Sequence, residues 1–311
     1  MNHHHTVRPD KASSPFNLQN DAAYKQWREA KLRDYPDSAT ALLVPIHDAY
    51  QLSSKEMGQL MHLLNKSNMA IYQCMEPAKS MEKSLVSSLG LQFGLQRLDE
   101  NLCSDEDSIS SLTVVEGGRH KGYIPYSNRA LNWHTDGYYN TGEQQIRAML
   151  LHCVQDAVSG GDNALLDHEI VYMLMRDTSP ELIKAMMAEE AMTIPSNIEG
   201  GEAIRDAQTG PVFSVDSRGN LHMRYTARKR NIEWKQDTAT LEAVAFLDDV
   251  MASSSPYIFR HHLQPGEGLL CNNVLHTRSG FEDAADHGKR LLYRARYFDR
   301  IANTDVIVEG K

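Results

Sequence analysis

The chain has 311 residues, 41% of them hydrophobic and 23% charged, with a formal net charge of −9. That length supports one large domain or two small ones with a sizeable core, and the acidic balance excludes broad nucleic-acid binding, which needs Lys and Arg to neutralise phosphate. Four cysteines, Cys74, Cys103, Cys153 and Cys271, lie far apart with no Cys-x-x-Cys pair, so neither a structural zinc nor a disulfide framework is expected, and the thiols read as buried in a reducing compartment.

No stretch approaches the roughly 18 apolar residues of a membrane span, and the N-terminus lacks a secretory apolar segment; a cytoplasmic location is expected. Residues 1–20, with His3, His4 and His5, read as a flexible arm, disordered or loosely docked. Residues 21–311 read as one domain, with a helix-and-strand part over 21–110 and a β-rich core over 111–300. In "DAAYKQWREAKLRD" (21–34), Tyr24 and Trp27 stand three apart, as on an amphipathic helix. "TALLVPI" (40–46) reads as a strand. Ser53 and Glu56 form a capping box ahead of Met57, Leu60, Met61 and Leu64 at helical spacing. "MAIYQC" (69–74) is a strand, and Met81, Leu85 and Leu89 mark another helix.

Short strands then dominate: "SLTVV" (111–115), "IRAMLLHC" (146–153), "NALLD" (163–167), "GPVFSVD" (210–216), "NLHMRYT" (220–226), "YIFRHHL" (257–263), "GLLCNN" (268–273) and "RLLYRARYF" (290–298). The turn signals "SGGDN", "DSRGN" and "QPGEG" separate them. Helical patterns over 168–190 and 237–251 interrupt the run. The pattern predicts an α+β chain with a mainly β core, an antiparallel sandwich or barrel flanked by helices.

Within "NWHTDGYYN" (132–140), His134 and Asp136 stand two apart, so a strand would present both on one face. Such a pair serves a metal, an acid–base couple or a plain strand-end hydrogen bond. His276, just past an apolar strand in "LCNNVLHTRSGFED", adds a distant second imidazole. Two histidines and one carboxylate match the facial triad that holds non-haem iron and leaves three positions open.

The motifs "HTDGYY", "LLHCVQDAVSGGDNALLD", "RYTARKR", "PGEGLLCNNVLH" and "RLLYRARYF" occur in this order over roughly residues 110–300. Together they resemble the iron- and 2-oxoglutarate-dependent dioxygenases, in the branch of taurine dioxygenase and the γ-butyrobetaine and trimethyllysine hydroxylases. The resemblance implies a double-stranded β-helix, or jelly roll, flanked by helices. It implies that His134, Asp136 and His276 hold Fe(II), and that Arg290 grips the distal carboxylate of 2-oxoglutarate, as a planar guanidinium does in two-point fashion. Asn163 stands where the taurine branch has a threonine that also touches this cosubstrate; its amide can donate the same bond. The implied reaction couples O2 and oxidative decarboxylation to succinate and CO2 with oxidation of a small-molecule substrate. Halogenases of the group lack the carboxylate, so Asp136 points to hydroxylation.

Alternation in "RLLYRARYF" puts Arg290, Leu292, Arg294 and Arg296 on one face. Arg294 sits where the taurine branch binds a sulfonate, which implies an anionic or zwitterionic substrate; the alternative is that Arg294 or Arg296 pairs with an internal carboxylate or reaches solvent. Arg224, in the cationic run 224–230, and Tyr138 are further substrate candidates. Tyr123, Tyr126, Trp133, Tyr138, Tyr139 and Tyr225 crowd the motifs, so a trimethylammonium cage is a second reading, which the arginines oppose. A catalytically silent metal- and 2-oxoglutarate-binding protein is a third. His152, His168, His222, His261, His262 and His287 read as structural or surface residues. A small-molecule partner is expected, with no nucleic acid and no membrane; homo-oligomerisation is left open.

Overall fold

Two sheets face each other, and alternation along their strands decides what lies between them. The structure is a computed structural model that describes residues 12–76, 81–100, 105, 107–115, 124–284 and 288–306. His3, His4, His5, Cys103, Tyr123 and His287 lie outside the described residues. The larger sheet has the strand order Leu43–Ile46, Met69–Cys74, Glu267–Cys271, Ala148–Gln155, Leu291–Tyr297 and Ser110–Leu112. Its first pair is parallel and the rest antiparallel. The smaller sheet has the order Phe259–His261, Asn163–Leu166, Leu275–Arg278 and Leu131–His134, all antiparallel.

Along Ala148–Gln155, Met149, Leu151 and Cys153 join the core that contains Leu165 and Phe259 of the smaller sheet. Ala148 and Leu150 point the other way, into a core built with Leu60, Leu64, Leu85 and Leu89 of two helices. Each such leucine contributes roughly 1.5–3 kcal/mol on full burial. The same rule governs Leu291–Tyr297: Leu292 enters the inter-sheet core, and Ala295 and Tyr297 the helix side. Arg294 and Arg296 share the parity of Leu292 and therefore point between the sheets. His276 pairs with Leu165, an inter-sheet residue, and so faces the same space.

The helices pack on the outside. Asp21–Leu32, Ser54–Ser67 and Lys83–Gln92 come first. In the second, the Ser53 hydroxyl accepts from the Glu56 backbone N–H and the Glu56 carboxylate accepts from the Ser53 N–H, the expected capping box. The single helix expected over 168–190 is two, His168–Thr178 and Pro180–Met186. Ser179 is extended and caps the second with its side chain, and Pro180 opens that helix because it has no N–H to lose. Thr238–Ala252 matches the last predicted helix.

Residues 12–20 are docked, not disordered. Phe16 is buried against Trp27 and Tyr172, at 5.0 and 5.3 Å between ring centroids. Arg176 donates to the carbonyl of Pro15 at 2.7 Å. An apolar ring and two receptive carbonyls, those of Pro15 and Asn17, tie down a segment whose polar composition signals a loose arm. A hairpin of Asn197–Glu199 and Glu202–Arg205 was also not foreseen; it turns at Gly200 and Gly201, both in the left-handed region. At one edge of the larger sheet, Pro45 is exposed in Leu43–Ile46, and the other edge strand has three residues. Cys74, Cys153 and Cys271 are buried. Among the described residues no helix is long and apolar enough to cross a membrane.

Candidate active site

The strand Leu131–His134 ends at its histidine, and the next residues turn. Strand alternation therefore does not place Asp136 beside His134. Asn273 does. The Asp136 N–H donates to Asn273 Oδ1 at 2.8 Å, and Asn273 Nδ2 donates to the carbonyls of Asp136 at 2.9 Å and Ile146 at 2.7 Å. Asn273 sits at φ 50°, a left-handed turn that asparagine tolerates, between the strands Glu267–Cys271 and Leu275–Arg278. One carboxamide thus locks the Asp136 turn to the strand that carries His276. Gly137 follows at φ 67°, where a Cβ would come within 2.4 Å of Ile146.

His134 and His276 face each other in register across the smaller sheet, with ring centroids 4.2 Å apart. One potential ligand atom from each of His134, Asp136 and His276 lies within 4.8 Å of the others. Each Nδ1 meets a backbone carbonyl, Asn132 at 2.8 Å for His134 and Val274 at 2.9 Å for His276. A carbonyl only accepts, so each Nδ1 carries the proton and each Nε2 keeps a lone pair for another partner. Burial first, and then the neighbouring His276 imidazole, pulls the pKa of His134 down to about 3. Burial also lowers that of His276. Burial works to raise Asp136, but the guanidinium of Arg294, aided by Arg296 and the two imidazoles, holds its carboxyl well below the usual range. Asp136 Oδ2 is buried and accepts no hydrogen bond among the described residues.

The other expected residues divide. Arg294 Nη1 lies 3.3 Å from Asp136 Oδ1. Arg296 donates to Tyr139 Oη at 3.0 Å and pairs with Asp99, the internal-carboxylate alternative. Arg294, Arg296 and Tyr138 all line a cavity of about 1120 Å³ that reaches His134 and Asp136. Arg224 does not line it. Its guanidinium donates to the carbonyls of Gln208, Met192 and Gly210 at 3.2, 2.7 and 3.1 Å, protein partners in place of the substrate expected for it. Those carbonyls come from a neighbouring sheet, a partnership no local pattern announces.

Arg290 is buried with its guanidinium 5.0 Å from the Phe281 ring, and burial lowers its pKa. Gly161 lies beside it: a Cβ there would be 3.4 Å from Arg290 Nε. Asn163 lies on the strand next to that of His276, with Oδ1 buried and without a hydrogen bond among the described residues. Arg278 escaped the sequence reading. It is two residues from His276, and its Nη2 donates to the carbonyls of Ser127 and Arg129, holding the loop that leads into Leu131–His134. The i, i+2 spacing from His276 is the signal that would have found it.

A model of the family described as "Taurine catabolism dioxygenase TauD, TfdA family" matches residues 32–296. The chain belongs to this dioxygenase family. It is 31% identical over 185 residues to a protein from Amycolatopsis sp named uridine-5'-phosphate dioxygenase, in a match covering 58% of this chain and 64% of that one. The chain thus spans just under two thirds of that relative. Two solved structures share the mixed α/β fold. An asparagine oxygenase in complex with Fe(II), hydroxyasparagine and succinate has a TM-score of 0.56 and 14% identity over 94% of this chain and 92% of that one. The non-haem iron oxygenase OrfP with Fe, succinate and hydroxyarginine has a TM-score of 0.59 and 16% identity over 94% and 92%.

Proposed function

We propose that the chain is a non-haem Fe(II)- and 2-oxoglutarate-dependent dioxygenase that hydroxylates a small anionic or zwitterionic metabolite, with succinate and CO2 as coproducts. The observation that carries this reading is the convergence of one potential ligand atom from each of His134, Asp136 and His276 within 4.8 Å, at a carboxylate whose Oδ2 has no hydrogen-bond partner among the described residues and between imidazoles whose Nδ1 atoms are already engaged. An uncapped buried carboxylate oxygen is costly unless something binds it, and two neutral imidazoles with one carboxylate are the donor set of a non-haem ferrous site. The family match supports the same assignment. The facing sheets accord with a double-stranded β-helix.

In this reading His134, Asp136 and His276 hold the iron. Arg290 takes the distal carboxylate of 2-oxoglutarate, and Asn163, whose carboxamide can present its NH2 where the orphaned oxygen stands, donates beside it. Bound iron supplies the activation of O2 and the oxidative decarboxylation of the cosubstrate. The chain's own residues do the rest. Asn132 and Val274 carbonyls hold both imidazoles in one tautomer and one orientation. Arg294 keeps Asp136 ionised without occupying Oδ2. The arginine-lined cavity favours an anionic substrate over a trimethylammonium one, and the Amycolatopsis relative is named for action on an anionic metabolite.

Anaerobic addition of Fe(II) and 2-oxoglutarate is expected to give a weak visible charge-transfer band, and admission of air to give succinate. His276→Ala is expected to abolish both. No band and no succinate from the intact chain would overturn the reading; a band with no substrate-stimulated succinate would favour a silent binding protein.

A further inference from the structure

The cavity carries more positive charge than an iron site and its cosubstrate require. Arg205, Arg228, Arg230, Arg294 and Arg296 line it, against Asp99, Glu100 and Asp136, in a chain whose formal net charge is −9. Arg294 is matched by Asp136 and Arg296 by Asp99. The other three have no carboxylate partner among the described residues. Arg205 donates to the carbonyls of Pro195 and Asp206 at 2.8 and 3.2 Å, which orients its fork without neutralising it.

Two of these cations, Arg228 and Arg205, are placed relative to the site by backbone and by one ring. Thr226 stands opposite His134 in an isolated antiparallel bridge, closed by the Ala227 N–H on the Trp133 carbonyl and the Thr135 N–H on the Tyr225 carbonyl, so Arg228 follows two residues, about 7 Å of extended chain, after the residue opposite His134. Arg205 ends the hairpin strand Glu202–Arg205 and lies 5.6 Å from the centroid of the Tyr139 ring. The hydroxyl of that same Tyr139 accepts from Arg296 at 3.0 Å. Tyr138 packs edge-on against Tyr139 at 5.1 Å. The same cavity is therefore lined by His134 and Asp136 and by these cations, with Tyr139 between Arg205 and Arg296.

We propose that Arg205, Arg228 and Arg230 form a phosphomonoester subsite, and that Tyr138 and Tyr139 face the ring-bearing body of the same molecule; this rests on the dioxygenase reading and names its substrate class. One guanidinium fork satisfies the two oxygens of a carboxylate, whereas a phosphomonoester presents a dianion with three terminal oxygens and takes several forks at once. The volume of about 1120 Å³ exceeds the usual roughly 300–1,000 Å³ of ligand pockets, more room than an amino acid needs. The substrate is thus a phosphorylated metabolite of nucleotide size, with its anion at these arginines and its oxidised carbon toward His134 and Asp136.

Calorimetry on the Fe(II)- and 2-oxoglutarate-loaded protein under anaerobic conditions tests this, with uridine-5'-phosphate, ribose-5-phosphate and uridine as probes. At least one phosphate ester is expected to bind ten times more tightly than uridine. R228Q/R230Q is expected to remove that preference while the charge-transfer band persists, which shows the centre intact. Equal binding of all three probes, or an undiminished phosphate preference in the double variant, would overturn the subsite. Absence of the band in the parent protein would instead sink the dioxygenase reading, so the two failures are distinct.

Discussion

Arg294 and Asp136 meet as a buried pair, Nη1 to Oδ1 at 3.3 Å, while Oδ2 of the same carboxylate accepts nothing among the described residues. The carboxylate is thus kept charged on one side and left open on the other. Removing one partner of a buried pair costs about 3–5 kcal/mol. Arg294→Met is expected to lose that much stability in the metal-free protein. A divalent cation replaces the missing positive charge, so Mn(II) should raise the Tm of the variant more than that of the parent. Equal increments in differential scanning calorimetry would show that Arg294 does not supply the countercharge.

Asn273 orders Asp136 without touching its carboxylate. Asn273→Ala leaves an N–H and two carbonyls unpaired and places alanine at φ 50°. A loss of about 2–4 kcal/mol is expected, since each orphaned buried group costs about 1–3 kcal/mol and the effects overlap. Metal affinity should fall more than tenfold, read by titration. A variant that is destabilised but binds metal as before would make Asn273 a fold residue only.

Acid should destabilise the metal-free protein before any carboxylate titrates. His134 has a folded pKa near 3 against an ordinary value near 6.5. Between those values the unfolded chain takes up a proton that the folded chain refuses, so stability falls as pH drops. From pH 6.5 to 5 the loss from His134 alone is about 2 kcal/mol, and His276 adds to it in the same direction. Urea midpoints at the two pH values measure this. His134→Asn should flatten the slope. The same lowered pKa keeps the imidazole free for metal at pH 5, where an ordinary histidine is protonated.

Arg224 should behave as a structural residue. Arg224→Leu unpairs the carbonyls of Gln208, Met192 and Gly210 and is expected to cost about 2–4 kcal/mol. The affinity of the Fe(II)- and 2-oxoglutarate-loaded variant for uridine-5'-phosphate should match that of the parent. A large loss of that affinity would return Arg224 to the substrate site.

The residue types of the site were legible because coordination chemistry demands them: His134, Asp136 and His276 stand out by kind, whatever the fold. How they are placed was not legible. The i, i+2 argument assumed a strand through Asp136, whereas the strand stops at His134 and a carboxamide 137 residues away fixes the turn. Asn273 was in plain view within "LCNNVLH", but an asparagine there also reads as an ordinary turn residue. Arg294 and Arg296 were correctly read as facing inward, because period-2 alternation is local. Whether each finds a carboxylate is not local: Asp99 lies 197 residues from Arg296. The helix split at Ser179 is carried by "SPE", a cap followed by a helix-opening proline, but a continuous apolar pattern on both sides masks it.

The edges of the larger sheet bear on how the chain behaves when crowded. Strands with open rows of N–H and C=O groups invite other copies to add on and grow fibrils. Here one border is interrupted by Pro45, which has no N–H to give, and the opposite one is only three residues long. Elongation by strand addition is obstructed on both sides, and Pro45→Val is the single exchange that would most directly reopen that route.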